Sequence, residues 1–226
     1  MEPFGEQWMT GSGTELLIRA DEAGRAYLGA VATDVPGRAE GRRTWHRERY
    51  DILAYLKVLV RSEPSLFPAK LHRAEAPDFL LKPMNHQRSL AIEHSMFGQE
   101  TNQHRLHLNA EEDARTTPEF RWIGGLTAKI GDTPERAWLS DLKTAIKRKA
   151  DAKHWRNAPS ADRCLLLHDQ AELGFFVSDA NGQAMLNILA DEALPEYNLS
   201  SIVVIRSQTR VLATRRTPPE VAGEQA

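Results

Sequence analysis

Apolar residues recur along this chain in two rhythms. Ile52, Tyr55, Leu56, Leu59 and Val60 fall at helical spacing, in a run that opens near Trp45 and stops before Pro64. A second helical stretch, residues 134–154, carries Leu139, Leu142 and Ile146 on one stripe, and a third centres on residues 184–190. Short strands are predicted at residues 78–82 and 89–95, separated by a turn with Pro83 and Asn85. Another runs over 163–168 and continues through Gly174–Val177, and a closing hairpin joins 201–206 to 210–214. Near the N-terminus, residues 15–19 and 26–31 flank Asp21–Arg25 and predict a further hairpin. Helix, strand pair, helix, strand is the order of an α/β fold with a mixed central sheet flanked by helices. Residues 96–134 are polar and show neither rhythm.

This pattern divides the chain into an N-terminal hairpin and connector (1–44), a main domain (45–214) and a loose C-terminal tail (215–226). No apolar run reaches the ~18 residues of a membrane span, and MEPFGEQWMT has neither the basic start nor the apolar stretch of a signal peptide. A cytoplasmic protein without a membrane partner is expected. The single cysteine, Cys164, rules out an internal disulfide and precedes three leucines, which suits packing rather than nucleophilic chemistry. With a net charge of −2 the molecule is no polycation, so any contact with nucleic acid needs a local basic patch.

The strand pair at 78–95 holds the candidate chemistry. A hairpin closed by Lys82 and Ser89 sets Phe79 against Ile92 and Leu81 against Leu90 on one face. On the other face Leu80 meets Ala91, and Asp78 falls opposite Glu93. Opposed like charges destabilise a sheet. Packing the apolar residues therefore brings two carboxylates together, and a divalent cation held by their oxygens would relieve the repulsion. An exposed hairpin face with both charges solvated is the other reading of the same residues.

Pro77-Asp78, followed by Ile92-Glu93-His94-Ser95, resembles the signature of the PD-(D/E)XK nuclease-like superfamily. The resemblance covers mainly residues 45–170 and implies a restriction-endonuclease-like core. It also implies that Asp78 and Glu93 hold one or two Mg2+ (or Mn2+) ions that activate water against a phosphodiester. The motif's lysine would stand at position 95, which is Ser95. A replacement cation is available from the second helix, whose stripe continues from Ile146 to Lys149 and Lys153, and relocation of this lysine to a helix is a variation within the superfamily. Both lysines equally suit a helix C-terminus. Glu48, four residues before Ile52, fits the third acid that the first helix supplies in such enzymes, or a first-turn acid complementing the helix dipole.

The resemblance thus implies Asp78, Glu93 and Lys149 as catalytic residues and Asp78, Glu93 and Glu48 as metal ligands. Lys147, Lys149, Lys153 and Arg156 offer a basic patch for nucleic acid, DNA ahead of RNA, or a solvated helix face, with Trp138 and Trp155 open to base stacking or to the core. A homodimer is compatible with an enzyme cutting two strands. The alternative is a nuclease-fold module that binds nucleic acid or a protein without cutting, in keeping with Ser95. A zinc site of His94, His104 and His107 is less favoured, because neither a cysteine partner nor a His-Glu-x-x-His pattern accompanies it.

Overall fold

A computed structural model of the chain describes residues 4–10, 15–31, 35–36, 43–85, 88–98, 134–158, 160–170 and 177–215. Among these residues seven strands form one sheet in sequence order: β1 (Glu15–Ile18), β2 (Ala69–Arg73), β3 (Phe79–Pro83), β4 (Leu90–Phe97), β5 (Asp162–Asp169), β6 (Ser201–Ile205) and β7 (Val211–Arg215). Strands β1 to β4 pair antiparallel, β4–β5 and β5–β6 pair parallel, and β6–β7 is again antiparallel. The mixed sheet of an α/β protein is therefore present, and β4 is the seam between its antiparallel and parallel halves.

Helices α1 (Glu6–Thr10), α2 (Glu22–Ala30) and α3 (Thr44–Ser62) cover one face; α4 (Pro134–Lys149) and α5 (Asp179–Glu196) cover the other. Alternation along the strands feeds both layers. Phe79, Leu81 and Ile92 pack with Ile52 and Leu56 of α3, whereas Ala91, Leu165 and Leu167 pack with Trp138, Leu142 and Leu186. The β3–β4 register is Phe79↔Ile92, Leu80↔Ala91 and Leu81↔Leu90, the pairing expected from the apolar pattern. A slip by one residue would move each of these side chains to the opposite layer.

The N-terminal region differs from expectation. Residues 26–31 do not pair with β1; most of them belong to α2, started by Asp21, whose Oδ1 accepts from the Gly24 amide at 2.7 Å. Gly24 is needed there because a Cβ would collide with the Arg19 carbonyl. Strand β1 instead pairs with β2, a strand whose run Ala69-Lys-Leu-His-Arg is too short to stand out by alternation. Helix α4 stops at Lys149 rather than continuing to 154, and Ala152–Trp155 forms a 3-10 turn begun by Asp151, whose Oδ1 accepts from the Lys153 amide. The third helix is longer than expected: the Ser178 hydroxyl caps its start, and Asn198, at φ 51°, follows its end. Residues 174–176, His104 and His107 lie outside the described residues.

Trp138 and Trp155 are both buried, so core packing takes precedence over base stacking; Trp138 meets Phe97 edge-on and donates to Asp169 at 2.9 Å. Cys164 is buried against the Tyr55 hydroxyl. No described helix is long and apolar enough to cross a membrane.

Candidate functional site

Where β3 begins, the chain turns from Pro77 into Asp78, whose carbonyl accepts from the Ala74 amide at 3.0 Å and extends the β2–β3 ladder by one step. Opposite, the β4 backbone passes Glu93 and His94. Asp78 Oδ2 accepts from the His94 amide at 2.8 Å, which pins the first carboxylate against the strand bearing the second. The juxtaposition follows from the hairpin register alone.

Glu93 points into the layer of α4 and is almost wholly buried. Its Oε1 accepts from Lys149 Nζ at 2.7 Å and lies 3.1 Å from His154 Nδ1. Its Oε2 is buried with no hydrogen-bond partner among the described residues. Burial, followed by the neighbouring Asp78 charge, pushes the Glu93 carboxyl up to about 7, against the pull of Lys149. Glu48 lies beyond the first turn of α3, which carries no acid, so the dipole-complementing reading does not apply; it is buried and is raised by that burial, with Arg73 opposing. Arg73 joins the two acids of this flank: Nη2 reaches Glu48 Oε2 at 2.7 Å, and Nη1 donates to the Asp78 carbonyl at 2.8 Å and lies 3.4 Å from Asp78 Oδ1.

Behind this group lies a buried relay. Asp51, fully buried one turn along α3 from Glu48, meets His94 Nε2 through Oδ2 and His168 Nδ1 through Oδ1, each at 2.7 Å. Burial opposes its charge, but the hydrogen bonds from His168 and His94 outweigh that and hold its carboxyl below the usual range. Burial likewise works against a charged His94, yet Asp51 raises it. His168 Nε2 in turn stands 2.8 Å from Arg47 Nη1. The assembly opens into a cleft of about 490 Å³ bordered by Arg43, Arg47, Glu48, Asp78, His94 and Lys149.

Of the residues expected at the site, Asp78, Glu93, Glu48 and Lys149 come together, and Ser95 borders the same cleft. Ser95 Oγ accepts from Arg148 at 3.1 Å. Of the other three basic residues, Lys147 is exposed on α4, Lys153 lies 3.8 Å from Asp151 and Arg156 3.9 Å from Glu75. His94 is committed to Asp51, and among the described residues no three His, Cys, Asp or Glu side chains form a ready metal cluster.

Arg47, Asp51, Arg73, His154 and His168 were not singled out by sequence. Two of them leave a signal: alternation of Ala69, Leu71 and Arg73 puts an arginine on a core-facing position, and Asp51 interrupts the apolar run of α3. Compared with known protein families, curated proteins and solved structures, the chain has no match.

Proposed function

We propose that this chain is a Mg2+- or Mn2+-dependent nuclease of the PD-(D/E)XK type, hydrolysing phosphodiesters of nucleic acid, DNA ahead of RNA. The observation that carries the reading is the Asp78–Glu93 pair across the β3–β4 hairpin, with a buried Glu93 Oε2 that has no donor among the described residues. Nucleic acid in the cytoplasm is the partner such an enzyme requires, and a homodimer would bring two sites to a duplex.

The donor set suits a hard divalent ion, since Asp78, Glu93 and Glu48 offer carboxylate oxygens and Glu93 Oε2 is an acceptor left over among the described residues. When bound, the ion would lower the pKa of a water and neutralise phosphate charge. Glu93 and Asp78 would hold it, with Glu48 reached on release from Arg73. The side chains supply the rest. A carboxyl raised to about 7 is one whose ionisation strengthens as positive charge approaches, which Lys149 already does in part. Lys149, at the rim of the cleft and 2.7 Å from Glu93, is placed to turn its ammonium toward an attacking water or a phosphate oxygen. Backbone and ring contacts of His94 keep Asp78 and Asp51 in place while this happens.

One observation favours a second reading, a nuclease-fold module that binds without cutting. Arg73 already bridges Glu48 and Asp78, so a guanidinium internal to the protein offsets the charge that a metal would otherwise meet. The two readings part in one assay: supercoiled plasmid, single-stranded DNA and RNA incubated with Mn2+, against chelator and against Glu93→Gln. Cleavage lost in both controls is the expected result. Binding without cleavage of any substrate moves the assignment to the second reading, and cleavage that survives Glu93→Gln removes the first.

A further inference from the structure

We propose that Arg47 is a phosphate-binding residue of the cleft and that His168, backed by Asp51, is the positioning residue that aims it. The inference rests on the nuclease reading and names a contact within that site. It begins with the hydrogen-bond accounting. A guanidinium only donates, so at 2.8 Å from Arg47 Nη1 the His168 Nε2 must accept. His168 then carries its hydrogen on Nδ1, and that hydrogen goes to Asp51 Oδ1 at 2.7 Å. Asp51, held from its other side by His94, thus fixes both the tautomer and the plane of His168. The Tyr50 ring completes the seat, with the Arg47 guanidinium carbon 5.6 Å from its centroid and His168 edge-on to the same ring at 6.0 Å.

The seat uses one nitrogen of Arg47. The edge formed by Nε and Nη2 is the one that grips phosphate or carboxylate with two parallel bonds, and Arg47 Nε is buried with no acceptor among the described residues. Of the other cations around the cleft, Arg73 is engaged by Glu48 and Asp78, Lys149 by Glu93 and Arg43 by Glu6, while Arg148 donates to the Ser95 hydroxyl and the Met96 carbonyl. Among the described residues Arg47 has no carboxylate partner, although it borders the same cleft as Glu48 and Asp78. A cation held in one orientation by buried groups and without an acid partner among the described residues is a site for an external anion, and the oxyanion that belongs beside a carboxylate pair binding a divalent ion is a phosphate.

The test uses the full chain and a fluorescein-labelled single-stranded DNA oligonucleotide in Ca2+, read by anisotropy over a range of salt. Arg47→Gln should weaken binding about tenfold and lower the slope of log affinity against log salt by about 0.7, one phosphate contact. Two substitutions at 168 separate aiming from folding. Asn places its amide near Nδ1 and keeps the bond to Asp51 while dropping the acceptor for Arg47; Gln places its oxygen near Nε2 and keeps that acceptor. His168→Asn should therefore reproduce the Arg47→Gln loss, with no further loss in the double variant, and His168→Gln should stay within about twofold of the parent. Parent-like binding and salt slope in Arg47→Gln would overturn the inference while leaving the nuclease reading intact, as would equal losses in both variants at 168. A parent protein that binds no oligonucleotide under these conditions would remove the nuclease reading and this contact with it.

Discussion

Lys149, the last residue of α4, and Glu93, in the middle of β4, meet at 2.7 Å although they approach from different layers of the fold. The lysine is partly accessible and the acid is not, so one ammonium connects a buried carboxylate to the cleft. In the proposed nuclease, a residue in this position should matter for turnover more than for binding. Lys149→Met is expected to lower kcat about 100-fold, the order seen when one charge-stabilising donor is removed, with oligonucleotide affinity within a few-fold of the parent. Lys147→Ala, two residues away but exposed, should leave kcat unchanged. A Lys149→Met protein of full activity would take this lysine out of the mechanism.

Glu93 should also leave a mark on stability. Its folded pKa of about 7 lies above the ordinary 4.5, so between those values the unfolded chain has lost a proton that the folded protein keeps. Stability is then lost as pH rises through that window, by up to about 3 kcal/mol. Urea unfolding in chelator at pH 4.5 and pH 8 should show this fall in the parent relative to Glu93→Gln. Parallel pH profiles for the two proteins would contradict it.

Asp51 works in the opposite direction. Its carboxyl is held below the ordinary range, so the stability it contributes is present above pH 4 and disappears as pH falls through the folded value. Removing it leaves His94 and His168 buried without their shared acceptor. Asp51→Ala should cost about 3–5 kcal/mol and move the acid-unfolding midpoint, both measurable by circular dichroism. A melt indistinguishable from the parent would mean that the relay contributes little to the fold.

Divalent ions should stabilise the folded protein through the acid pair. At a hundredfold excess over its Kd, a ligand specific for the folded state adds about 2.7 kcal/mol, visible as a rise in Tm of roughly 2–4 °C for each kcal/mol in a chain of this size. Mn2+ should raise the Tm of the parent and leave Asp78→Asn and Glu93→Gln unmoved. Equal shifts in all three proteins would place the ion elsewhere.

The hairpin register and the meeting of Asp78 with Glu93 are legible in the sequence because Phe79, Leu81, Leu90 and Ile92 must share a face, and one register satisfies all four. Helix α3 is legible for the same reason at a different period. The relay from His94 through Asp51 to His168 is not: its members lie on three elements far apart in the chain, and the pattern marks Asp51 only as an interruption. Residues 26–31 misled in another way. Ala26-Tyr-Leu-Gly-Ala-Val suits a strand or a helix, and the Asp21 cap onto Gly24 decides for the helix. The reach of Lys149 followed from the stripe of α4, whereas Lys153, on the same projected stripe, left it when the helix stopped at Lys149 and the 3-10 turn began.

Strand β4 closes two very different loops. On one side it pairs with β3, its neighbour in sequence; on the other it pairs with β5, so that Leu90 waits for Asp162 and Phe97 for Asp169. The entropy of closure makes the short loop the faster to form. The Asp78–Glu93 pair is thus a local product of the chain, complete with the hairpin, while Lys149 and His168 reach it only once a distant stretch has docked.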